Sequence, residues 1–212
     1  MTKKFGISAA VLKWTAAFTM LVDHFGASVV MREMYDGPYY IPYGFYNALR
    51  LIGRLAFPIF CFLIIESFFH TSSKPKMAVR LFIFALVSEV PFDMTIRNSF
   101  WDTAYNNVFL TLLISFLTMW GIEELKTGLP VDKWLIRGIL MGLTGMAGAL
   151  TAHFLNTDYG ALGVAAVLIF YALRDHPVIA MTLAVILLAV GSWEGELAAL
   201  CNLPLVYFYN GE

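Results

Sequence analysis

One long apolar run follows another along this chain, and that recurrence narrows its fold more than any other feature. Crossing a bilayer takes about 20 mostly apolar residues. The sequence offers eight such stretches, Ile7 to Met31, Phe45 to His70, Met77 to Ile96, Ala104 to Gly121, Lys133 to Phe154, Tyr159 to Leu173, Val178 to Ser192 and Leu197 to Tyr209. Hydrophobic residues make up 59% of the 212 and charged ones 14%, with a mean hydropathy of +0.72; soluble domains average roughly 45–50% and about 25%. The expectation is an all-α polytopic transmembrane helix bundle of about eight spans. No Pro/Ser-rich linker or low-complexity tract divides it, so residues 1–212 read as a single domain. Lys3 and Lys4 before an apolar stretch imitate a secretory leader. Lys13, Asp23 and His24 interrupt that stretch, however, and a retained first span is expected.

Basic residues in short connections mark the cytoplasmic side. Lys3, Lys4, Lys74, Lys76, Arg80, Lys126, Lys133, Arg137 and Arg174 fall in one set of connections, against Arg32 and Arg97 in the other. Both termini are therefore expected in the cytoplasm. A net charge of −1, from 14 basic and 15 acidic residues, argues against a nucleic-acid surface or a polybasic lipid tail. Cys61 and Cys201 lie in apolar runs without metal-ligand spacing and read as packing residues.

Against this apolar background the ionisable residues stand out, because each costs a few kcal/mol at membrane depth. With a rise of ~1.5 Å per residue, His24 lies about 24 Å above the inner face, Arg50 about 24 Å, Arg54 about 18 Å, Glu89 about 18 Å and Asp93 about 24 Å. Arg50 and Arg54 share a helix face at i,i+4, as do Glu89 and Asp93. The matching levels predict two rungs, Arg50 with Asp93 and Arg54 with Glu89. Asn106, Asn107 and His153 reach the same layer, and Asp158 and Tyr159 open the sixth span there. Glu66 lies near the opposite end, where it either lines an entrance or snorkels to the interface.

Each motif has a chemical and a structural reading. Asp23-His24 suits general-base work, with a carboxylate or carbonyl of another span as the expected orienting partner of the ring; it also suits helix-packing hydrogen bonds. Gly53 to Phe60 surrounds Arg54 with a glycine and Pro58. A kink there either aims the guanidinium into a cavity or seats a salt bridge. Glu89 and Asp93 either neutralise the arginines or orient His24, and Asp158 makes a good helix N-cap. His70 and His176 fall at helix ends, and His153 has no HxxxH or HExxH partner, so no metal site is expected. GxSxG, Walker A and GxGxxG are absent.

Taken together, Leu21-Val22-Asp23-His24, Gly53 to Phe60, Ser88-Glu89-Val90-Pro91-Phe92-Asp93, Asn107-Val108-Phe109-Leu110-Thr111 and Asp158-Tyr159-Gly160-Ala161-Leu162-Gly163 resemble the TraX family, as does the closing Leu203 to Gly211. The resemblance spans nearly the whole chain; Ser67 departs from it, standing where the family has glycine after the span-two glutamate. It implies a multi-pass acetyltransferase of the bacterial inner membrane that uses acetyl-CoA as co-substrate, with His24 as base, and Arg54, Asn107 and Tyr159 in the site wall. The expected reaction is acetyl transfer to an amine or hydroxyl acceptor outside, whether a peptide N-terminus, a small amine or a glycan. Arg54 and Asn107 would face the oxyanion, while Asp23, Glu89 or Asp93 would hold the imidazole tautomer. A homo-oligomer is compatible with the chain. Two other readings stay open: a proton-coupled transporter built on the same layer, and a non-catalytic assembly protein of the membrane.

Overall fold

A computed structural model describes residues 6–96 and 98–211. These residues form a helical bundle: α1 Ala9–Phe25, α2 Met31–Asp36, α3 Tyr43–Gly53, α4 Ala56–His70, α5 Lys74–Ile96, α6 Val108–Gly128, α7 Trp134–Phe154, α8 Gly160–Ala172, α9 Pro177–Gly191 and α10 Leu203–Tyr207. A π-helical turn at Gly26–Val30 joins α1 to α2, and a 3-10 segment, Glu194–Asn202, precedes α10. Among the described residues, three helical stretches are long and apolar enough to cross a membrane: Tyr43–His70, Val108–Gly128 and Trp134–Phe154.

α4 is the central post. It is apolar on every side and buries ten residues from Ala56 to Phe68, as a helix enclosed by others must. It packs on α1, α6, α8, α9 and the 3-10 segment, whereas α5 leans on α6 and on the π-helical turn after α1. α7 sits at the rim and buries only Gly148 and Ala152. The two ends of the described chain meet, the Ile7 amide donating to the Phe208 carbonyl at 2.9 Å and Asn210 returning a bond to Ile7 at 3.0 Å.

Several boundaries differ from the sequence expectation: the first run passes from α1 into the π-helical turn at Gly26, and three further differences bear on the site. The Phe45 to His70 run is two helices, broken at Arg54 and Leu55. Pro58 has no N–H for the Arg54 carbonyl four residues back, so α-geometry lapses one turn ahead of the proline. Leu55 bonds instead to Ile52 at 3.2 Å, and the Asn202 side chain donates at 2.9 Å to the Leu55 carbonyl at the break. The fourth expected span, α6, starts at Val108 rather than Ala104, because the Asn107 carboxamide caps it by accepting from the Phe109 amide at 2.9 Å. The last apolar run is mostly 3-10 geometry with a five-residue helix, not one α-helical span. Cys61 is buried as expected, but Cys201 is exposed and does not pack in the core.

α1 crosses α3 at Gly53, where an added Cβ would overlap the Asp23 side chain. Gly142 on α7, by contrast, has open space around it. Gly53→Ala is expected to cost about 1–3 kcal/mol by overpacking, while Gly142→Ala is neutral or stabilising by up to about 1 kcal/mol. Thermal unfolding in detergent compares the two.

Candidate active site

Near one end of the bundle, α1, the α3–α4 break, α5, the start of α6 and the turn before α8 enclose a cavity of about 470 Å³. His24, Asp23, Arg54, Asn107, Asp158 and Tyr159 all line it. Arg50, Glu89, Asp93 and Glu66 do not. Apolar side chains of α1, α4, α5 and α6, among them Met20, Phe60, Phe92 and Phe109, make the rest of the wall.

The electrostatic centre of the site is Asp23. One carboxylate oxygen accepts from Arg50 at 2.7 Å and the other from Arg54 at 3.0 Å. Arg54 reaches on to Glu196 at 2.9 Å, to the Tyr159 hydroxyl at 3.4 Å and, through Nε, to the Arg50 carbonyl at 3.3 Å. Two guanidiniums and two carboxylates thus form a neutral cluster, which is how buried charge is tolerated. The expected rungs between Arg50 and Asp93 and between Arg54 and Glu89 do not form. α3 packs against α1 and not against α5, so the arginines face Asp23.

Glu89 and Asp93 serve α6 and the loop before it. Glu89 accepts from the backbone and side-chain N–H groups of Asn107, placing its charge at the positive end of α6. Asp93 accepts from the Asp102 amide at 2.7 Å. The second Asn107 amide hydrogen goes to the Ala85 carbonyl at 2.8 Å. Both Asn107 donors are therefore committed, and it offers none to an oxyanion.

His24 is oriented differently from expectation. Its Nδ1–H donates to the Met20 carbonyl of its own helix at 2.8 Å, and its ring meets Phe92 edge-on with centroids 6.1 Å apart. Among the described residues no carboxylate holds the tautomer. The helix turn does so, leaving Nε2 as the basic nitrogen. Ser28 in the π-helical turn donates to the His24 carbonyl at 2.6 Å, tying the irregular turn to the histidine.

Tyr159 adopts a left-handed conformation, φ 61°, uncommon and strained for an aromatic residue. Its ring stacks on Phe57 with centroids 3.9 Å apart and an interplanar angle of 7°. Asp158 is not the cap of α8, a position Tyr159 takes without a side-chain bond. It accepts instead from the Tyr105 hydroxyl at 2.7 Å. Enclosure pushes the Asp158 carboxyl above the usual carboxylate range, and the Tyr105 bond pulls the other way. Asn106 and Asn156 join the two loops at 2.9 Å.

Glu66 lies away from the cavity, beside His70 at 3.9 Å and near Tyr209. His153 is exposed and packs on Phe154. Among the described residues no cluster of three His, Cys, Asp or Glu is arranged to hold a metal. Three partners escaped the sequence reading: Glu196, Asn202 and Tyr105. Glu196 carried a signal, an acid one residue ahead of the last apolar run, but that run's start at Leu197 left it in a connection. Asp23→Ala removes the carboxylate shared by both guanidiniums and is expected to cost about 3–5 kcal/mol, read as a loss of thermal stability in detergent.

A family model described as TraX protein matches residues 8–212. Among curated proteins, the probable fimbrial assembly protein FimC, serogroup H1, of Dichelobacter nodosus is 28% identical over 143 residues, 64% of this chain. The match covers 54% of that relative's length, so the chain spans about half of it. No solved structure matches. The chain belongs to the TraX family.

Proposed function

We propose that the protein is a membrane acetyltransferase that moves an acetyl group from acetyl-CoA to an amine or hydroxyl acceptor, with His24 as general base. The observation that carries this reading is the histidine itself. Its Nδ1 is fixed by a backbone carbonyl, and its ring lines a cavity shared with the Arg54 guanidinium and the Tyr159 phenol. An acceptor N–H or O–H gives its proton to Nε2 as the heteroatom attacks the thioester carbonyl. The tetrahedral oxyanion collapses, the C–S bond breaks, and the imidazolium returns the proton to the leaving sulfur.

Arg54 supports the oxyanion better than Asn107 does. Of its five N–H groups, four meet partners among the described residues, and one on Nη2 remains. Asp23 and Glu196 hold the guanidinium in place, so it needs no reorganisation when charge develops. Membership of the TraX family and likeness to a protein named for fimbrial assembly agree with an acceptor met at a bacterial membrane. The full reading includes eight crossings of the inner membrane with cytoplasmic termini and the cavity toward the outer side.

His24→Ala is expected to lower transfer of labelled acetyl from acetyl-CoA by about 10²–10⁴-fold in liposomes, with thermal stability retained. Full transfer by a folded His24→Ala variant overturns the mechanism. Solute flux independent of acetyl-CoA would point to a transporter instead.

A further inference from the structure

The cavity is not sealed on its flank. α1 and α5 stand on either side of it, touching where the His24 ring meets Phe92 edge-on but not packed together as a helix pair. Leu21 of α1 lines the cavity and is 66% exposed, and Pro91 of α5 also lines it and is exposed. These two residues are the lips of a slot. Each lip continues as an apolar ridge on the outer surface, Phe18, Leu21 and Phe25 on α1, and Phe84, Val87 and Met94 on α5, all exposed. In a bilayer such ridges face acyl chains rather than water.

The cavity is amphipathic in the same sense. His24, Arg54 and Tyr159 gather with Asp23, while the Ser88 and Thr95 hydroxyls that also line it are turned onto the Phe84 and Pro91 carbonyls of their own helix. Ala17 on α1 and Phe60 on α4 extend the wall by seven and six residues, about 10 Å along the helix axes. A ligand with a polar head and an apolar chain matches that division. A transmembrane helix does not, being roughly 10–12 Å across with its side chains, against a cavity in the size range of small-molecule sites.

The geometry points to a membrane lipid as the acyl acceptor, one whose headgroup amine or hydroxyl enters sideways between α1 and α5 and reaches His24 while its chain stays along the slot. This assignment rests on the acetyl-transfer reading of the same cavity and names its substrate class. The headgroup N–H or O–H proton goes to Nε2, the new amide or ester forms on the headgroup, and CoA leaves as the thiol.

Nanodiscs containing phosphatidylethanolamine or phosphatidylglycerol with a diazirine in the acyl chain, supplied with radiolabelled acetyl-CoA, test it by two readouts. Irradiation is expected to place adducts on cavity residues within 17–24 and 88–95, and label is expected in the organic-extractable lipid. Leu21→Trp narrows the slot and is expected to lose both, whereas Phe18→Trp, on the ridge outside the cavity, keeps both. Label passing only to a soluble amine, or to the free N-terminus of a membrane-spanning peptide, without cavity adducts overturns the lipid assignment and leaves acetyl transfer standing. Cavity adducts without transfer to any acceptor overturn acetyl transfer and leave lateral lipid entry standing. The adduct map and the lipid label of the unmodified protein together decide the matter even if Leu21→Trp does not fold.

Discussion

Asp23 holding two guanidiniums at once is the interaction on which the site depends. An isolated charge in an apolar interior is costly, and a pair recovers that cost only with close geometry and satisfied remaining atoms. Arg50 and Arg54 each take one oxygen of Asp23, and Glu196 supplies the second negative charge. The arrangement requires α1 and α3 to touch at Gly53, so a backbone position without a side chain sets where the charges meet. Helix packing and electrostatics are one constraint there.

Around this cluster the regular backbone gives way repeatedly. The α3–α4 break, the π-helical turn after His24, the left-handed Tyr159 and the 3-10 segment all border or support the same cavity. Irregular backbone at membrane depth is tolerated where protein buries it or where it lines a cavity, because its freed polar groups need partners. Asn202 braces the α3–α4 break by donating to the Leu55 carbonyl. The departures from helix also bring His24, Arg54 and Tyr159, from three distant parts of the chain, to one wall.

Much of this was legible in the sequence, and the part that was not has a physical reason. Helical rise gave the levels of His24, Arg54, Asn107 and Asp158, which do share a cavity. It gave no information on which helix stands beside which. Pairing Arg50 and Arg54 with α5 assumed that helices adjacent in sequence are adjacent in space, whereas α1 occupies that place. The sequence points to a carboxylate or carbonyl of another span as the orienting partner of His24, whereas the ring bonds the Met20 carbonyl one turn back in its own helix. Glu196 was hidden because 3-10 geometry has no apolar periodicity comparable to that of an α-helix. Whether each of the eight apolar runs crosses a membrane depends on length as well as pattern, and three helical stretches meet that requirement by themselves.

The distance along the chain between Arg54 and Glu196 has a temporal meaning. The two are 142 residues apart, and ribosomes add roughly 5–20 residues per second. A newly inserted Arg54 thus waits about 7–28 s for its second carboxylate, with Asp23 as its ion-pair partner meanwhile. The final 3-10 segment acts as the latch that ends that wait.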